Sequence, residues 1–339
     1  MDSLTHIVLG ACIGEVLLDR KAGRKAMLWG ALAQSVPDID FIAGVWMPLT
    51  SELMAHRGFT HSFLFAGMIS FLLALIAVRW HKKDAISLNR WLIFFLIEIG
   101  VHLFLDSMNN YGIGWLEPFS DQRFAFHVLY VADPLFTLVP LISFFFLIFL
   151  RTDHAHRIHW AWSGIFASSL YLVVSGLNKM EVERAVQQSL AKQGKQSIDH
   201  FSTPTLLNNM LWMVVAKDSA GFRVAQRSIV DQGDSLEWVY LPQNDSLLDP
   251  VHDHQEVLDL KKFSQGYYTV EQWGDTLVFN DLRFGQQNGW EDPKSRFSFH
   301  YYISHPSDNE LIVQRGRFAL LNRASGRRLL SRMIGNSGH

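Results

Sequence analysis

The stretch MAHRGFTHSFLFAGMISFLLALIAV, Met54–Val78, places two histidines, His56 and His61, at the mouth of a run that carries no charge from Ser62 to Val78. A bilayer core takes about 20 mostly apolar residues, or slightly fewer with interfacial flanks. A soluble core helix seldom stays apolar on every face for so long. The run therefore predicts a membrane span, and the imidazoles at its entrance need a separate explanation.

Working outward, three further stretches fit the same description. Trp91–Met108 is apolar except for Glu98, His102 and Asp106; Val128–Leu150 has Asp133 near its start; Trp160–Leu177 is uncharged. Two shorter apolar segments, Leu4–Leu18 and Ala26–Val36, are joined by DRKAGRK. The first lacks the basic start of a signal peptide. The pair predicts a helical hairpin, re-entrant or packed against the spans, with Gly10 and Gly14 allowing close helix contact.

The chain has 339 residues and a formal charge of −2. That length suggests about two domains, and the charge balance speaks against a nucleic-acid binder. One cysteine, Cys12, leaves no internal disulfide and no thiolate-rich zinc site. Hydropathy divides the chain. Residues 1–177 predict an α-helical integral membrane domain, with four spans plus the N-terminal hairpin. Residues 178–321 predict a small β-rich extramembrane domain, and 322–339 a loose basic tail. The second part opens with an amphipathic helix, KMEVERAVQQSLAKQG. Strand-like runs follow: SLEWVYLP, YYTVEQWGDTLVFNDL, RFSFHYYIS and ELIVQRGRFAL. Alternating Phe297, Phe299, Tyr301 and Ile303 marks a half-buried strand. Gly274-Asp275 predicts a tight hairpin.

Basic residues in short loops set orientation. The loops after the first short segment, the first span and the third span hold Arg20, Lys21, Arg24, Lys25, Arg79, Lys82, Lys83, Arg90, Arg151 and Arg157; the opposite segments hold only Arg57 and Arg123. This bias puts the basic loops in the cytoplasm and the C-terminal domain on the periplasmic side of a bacterial inner membrane.

Ionisable residues inside spans are costly and usually face a partner or a wet cavity. Glu98, His102 and Asp106, four apart, share one helix face. The orientation brings His6, Asp38, Asp40, His56, His61, Asp106 and Asp133 to the same outer leaflet from separate segments. Bland readings stand beside each. Asp38 and Asp40 beside Pro37 suit a cap or turn, His56 and His61 suit an interfacial position, and Asp133 before Pro134 suits a helix N-cap. Jointly, histidines and carboxylates without thiolate make a nitrogen–oxygen ligand set. It fits one or two divalent ions, zinc first, with manganese or iron as alternatives. The proposed ligands are His6, Asp38, His56, His61, His102 and Asp106. Asp40 would be a base or shared ligand, Arg57 a phosphate clamp, and Glu98 a buried group orienting His102. The histidines of RTDHAHRIH and of HDH are assigned to solvent.

These residues resemble the YdjM family of bacterial inner-membrane proteins, described as metal-dependent hydrolases. The resemblance rests on MDSLTHIVLGA, PDID, HRGFTHS, HLFLDSMNNYG with WLEPFSD, and ADPLF, and further on TPTLLNNMLWMVV and NDLRFG. That family is in turn distantly similar to zinc-dependent phospholipase C and single-strand nucleases. The order implied there is His6, Asp38 or Asp40, His56 or His61, then His102 and Asp106. The resemblance implies a hydrolase fold and a metal. The function expected is an inner-membrane metal-dependent hydrolase acting on a phosphoester of a lipid or lipid-linked substrate at the outer leaflet. The alternatives are a metal-binding membrane protein or transporter without hydrolysis, and a membrane anchor for a partner-binding domain.

Overall fold

The computed structural model describes residues 1–194, 199–233, 235–309 and 322–335. They form two compact units, one of Met1–Val45, Ala55–Phe126 and Val131–Val174, the other of Trp46–Met54, His127–Tyr130 and Ser175–His339 so far as described.

The first unit is helical. Helix α1 (Ser3–Ala22) and helix α2 (Arg24–Ser35) turn on Gly23, whose φ of 54° suits glycine. The expected hairpin is present, and glycine explains its closeness. A Cβ on Gly10 would sit 2.5 Å from the Gly30 carbonyl oxygen, and one on Gly30 would sit 2.0 Å from that of Gly10. The two backbones touch. A 3-10 helix, Pro37–Val45, follows; α3 (Leu49–Ala55) falls almost wholly in the second unit, and the first resumes with a short 3-10 turn, Phe59–His61.

Ser62 caps α4 (Phe63–Trp80) by accepting from the Phe65 N–H, and Ser87 caps α5 (Leu88–Ser107) in the same way. Both helices are long and apolar enough to cross a membrane, as is α7 (Arg157–Lys192). The expected third span begins later and is shorter. Helix α6 covers only Pro134–Phe149, because Asp133 caps it and Pro134 occupies its first turn. Among the described residues the region thus has three long apolar helices and two shorter ones, where four spans plus an N-terminal hairpin were expected. The apolar run from Trp160 and the amphipathic segment after residue 178 are one continuous helix, α7.

Among its described residues the second unit contains two antiparallel sheets. Strands β1 (His200–Pro204), β2 (Leu211–Asp218), β3 (Gly221–Ser228) and β4 (Val239–Pro242) form the first in that order. Strands β5 (Tyr268–Trp273), β6 (Thr276–Gln286) and β7 (Phe297–Tyr302) form the second. Gly274-Asp275 makes the expected two-residue turn, with Trp273 paired to Thr276. Strand β7 is buried on both faces, since Ser298 and His300 are covered as well as Phe297, Phe299 and Tyr301; Trp273 packs against His300. Helix α8 (Gln255–Phe263) precedes the second sheet. The strand expected in ELIVQRGRFAL lies outside the described residues. Where described, the tail expected to be loose forms α9 (Arg323–Met333). Arg332 pairs with Asp231, and Ser228 donates to the Met333 carbonyl, so polar contacts give this basic segment an ordered seat.

Candidate metal centre

Helix α5 carries the foundation of the site. Its spacing of four puts His102 and Asp106 on one face, and both are fully buried. His102 Nδ1 donates to the Gln34 carbonyl oxygen at 2.6 Å. A carbonyl only accepts, so this contact leaves the lone pair of the neutral ring on Nε2. That nitrogen faces His61 Nε2 at 3.1 Å. His61 is placed by the 3-10 turn that leads into α4, and Asp38 by the 3-10 helix after α2.

Four ligand atoms converge from these three segments. His61 Nε2 lies 3.5 Å from Asp38 Oδ1 and 3.4 Å from Asp106 Oδ2; His102 Nε2 lies 3.7 Å from each of the same oxygens. All four donors fall within 4.8 Å of one another. Bonds of about 2.0–2.1 Å to a tetrahedral zinc give ligand–ligand edges of roughly 3.3–3.4 Å, close to the edges seen here. The chemistry agrees with the spacing. Two imidazole nitrogens and two carboxylate oxygens face one another, with the Arg57 guanidinium beside Asp106. The cluster could hold a metal ion.

The surroundings hold these ligands in place. Asp40 Oδ1 pairs with His56 Nδ1 at 2.9 Å, while Oδ2 accepts from the Arg57 N–H at 2.7 Å and the Thr60 hydroxyl at 3.0 Å and lies 3.3 Å from His61 Nδ1. A carboxylate behind a ligating imidazole fixes the ring and its tautomer. Burial alone would raise the Asp40 carboxyl, but hydrogen bonds from His56 and His61 hold it well below the usual carboxylate range. Asp38 is likewise opposed by burial and held low by His61, His102 and Arg57. His56 is pushed down by burial against the opposing pull of Asp40.

The other expected residues lie close by. His6 stacks on His102 with ring centroids 3.9 Å apart, and its Nε2 is 3.1 Å from Asp106 Oδ1. Met1's amine also lies against that oxygen. His56 stands at the edge, facing Tyr111 and partly exposed, outside the four converging donors. Arg57 turns inward. Its Nε is 2.9 Å from Asp106 Oδ2, and it donates to Asn109 Oδ1 and the Met1 carbonyl. Glu98 sits one turn along α5, bonded by Gln34 Nε2 at 3.2 Å. Asp133 is a helix cap, accepting from the Leu135 and Phe136 N–H groups and from the Tyr171 hydroxyl. His154, His156, His159, His252 and His254 are exposed, as expected.

Sequence reasoning overlooked Gln34. Its side chain links His6 to Glu98, and its carbonyl orients His102. A lone glutamine in the apolar run AMLWGALAQSV was the available signal. Asn109 and Thr60 were overlooked too, although they lie within motifs already singled out.

A helical membrane region with a buried His/Asp cluster is the class that this geometry defines. The YdjM inner membrane protein family model matches residues 1–182, and the chain belongs to that family. Inner membrane protein YbcI of Escherichia coli (strain K12) is 32% identical over 123 residues, 36% of this chain and 69% of the relative. YfhP of Bacillus subtilis (strain 168), an uncharacterised protein, is 25% identical over 311 residues, 79% of this chain and 89% of the relative. No solved structure matches significantly.

Proposed function

We propose that this protein is an integral inner-membrane, metal-dependent hydrolase that cleaves a phosphoester of a lipid or lipid-linked substrate at the outer leaflet. The convergence of His61, His102, Asp38 and Asp106 carries the reading. In it those four residues hold the ion, with zinc favoured by the donor set. His6 and Arg57 fix Asp106, Asp40 fixes His56 and His61, and Glu98 acts through Gln34 to steady His102.

When bound, a divalent ion supplies Lewis acidity to the attacking water and to the phosphate oxygens. The protein side chains manage position and protons. Asp38 is the more open of the four ligands, with its side chain 19% exposed where the other three are sealed, so the substrate approaches from its side. His56, fastened to Asp40 through Nδ1 and partly exposed, keeps Nε2 for proton transfer. The water oxygen bonds to phosphorus and the phosphorus–oxygen ester bond breaks. The water proton goes to His56 Nε2 and on to the departing alkoxide. The ten-to-two distribution of basic residues supports a periplasmic position for the site and the β-rich unit.

A second reading, metal binding without hydrolysis, draws on the complete burial of His61, His102 and Asp106. Purified full-length protein, loaded with zinc and offered phospholipids in mixed micelles, decides between them. The expected result is headgroup or phosphate release that a chelator abolishes and zinc restores. Bound metal with no release from any phospholipid would sink the hydrolase and favour the second reading.

A further inference from the structure

The 3-10 helix Pro37–Val45 faces two ways. Asp38 and Asp40 point into the metal centre, with side chains 19% and 5% exposed. Between and after them, Ile39 is 52% exposed, Phe41 69%, Ile42 40% and Val45 82%. Proteins surrounded by water rarely leave so many large apolar side chains uncovered in one short segment. The patch does not stand alone. This segment packs beside the 3-10 turn Phe59–His61, which runs directly into α4. Phe59 and Phe63 are exposed there, and the outward side chains of α4 continue the surface. Helix α4 is a candidate span in a chain of an inner-membrane family.

We infer that residues 37–45 are seated in lipid, so that one wall of the metal centre is the membrane itself and a phospholipid enters from the side. This rests on the hydrolase reading for what happens next, and not for the seat in lipid. The same backbone turn would then hold a ligand on one face and acyl chains on the other. A substrate with long chains keeps them in the bilayer and moves only its phosphate past Asp38. Its cost of transfer into water never arises. Continuity with α4 favours lipid over a second copy of the chain as the occupant of this face.

The test uses the full-length chain, Cys12→Ala, with a nitroxide on Val45→Cys or Phe41→Cys, in vesicles of phosphatidylethanolamine and phosphatidylglycerol. Oxygen should relax the label more than chromium oxalate does; the reverse ratio overturns the seat in lipid. Dipolar broadening that vanishes when unlabelled protein is mixed in also overturns it, because a second copy would then cover the face. Phe41→Asp supplies the second arm. It should keep its metal and cleave short-chain monomeric phospholipid normally, while cleavage of long-chain phospholipid in vesicles falls at least about tenfold. Equal loss on both substrates, or no loss, overturns lateral entry. If the unmodified chain cleaves neither, the hydrolase reading fails, and the nitroxide still decides the surface.

Discussion

Two polar clusters, one in each unit, use similar residues to opposite ends. In the second unit Lys179 donates to the Ser202 carbonyl at 2.8 Å, Ser202 donates to Glu183 Oε1, and His200 Nε2 meets Glu183 Oε2 at 2.9 Å. Every donor there meets an acceptor, and the cluster is complete as protein. In the first unit His61, His102, Asp38 and Asp106 aim acceptors at one another. Residue type does not separate the two, since each has histidine and carboxylate. Geometry does. The cluster in the second unit ties helix to strand, whereas the one in the first brings four possible ligand atoms within 4.8 Å of one another, beside the Arg57 guanidinium.

Breaking the first cluster should have the largest effect. His102→Ala removes one of four donors, and its bound zinc, measured by elemental analysis, should fall to background, whereas Glu183→Gln should leave metal content unchanged. Zinc lost equally from both variants would erase the distinction. Asp40→Asn sharpens the comparison from the supporting shell. Zinc affinity should drop about 10- to 100-fold, the usual range for partners behind a ligating histidine. Competition with a fluorescent chelator reads it, and an unchanged affinity would remove Asp40 from that role.

The smallest effect tests the second unit alone. His127 stacks on Phe201 with centroids 4.9 Å apart. Burial, then Lys179 and Arg283, push its imidazole down to about 3, against an unfolded value near 6.5. Between those values the unfolded chain binds more protons, so this contribution to stability fades as pH falls from about 6.5 towards 3. His127→Phe keeps a ring on Phe201 and removes the titration. Protection from hydrogen exchange across β1 and β2, relative to the intrinsic rate at each pH, should then fall less on acidification than in the unmodified chain; an identical fall would show that His127 is not responsible.

Much of this was legible in the sequence because membranes and metals both impose spacing. The apolar runs announced α4, α5 and α7, and the interval of four put His102 and Asp106 together. Gly10 and Gly14 hinted at a hairpin that proved tighter than expected. The shorter α6 was harder to see, since Val128–Tyr130 read as apolar and the helix start was set by Asp133 and Pro134. Strands β1, β2 and β3 passed unremarked: HFSTP is short, and LWMVVAKD is buried along most of its length and so lacks alternation. Which of the expected histidines would join His102 was not legible. His56 and His61 differ only in the turn Phe59–His61 between them, and that turn points one inward and the other to the edge.

The contact between Gly10 and Gly30 lies one turn from His6 on α1 and one turn from Gln34 on α2. The distance across which those two side chains join is therefore set by the thickness of the main chain itself. A single added methyl at either glycine would collide with the facing main chain and pry the joint open.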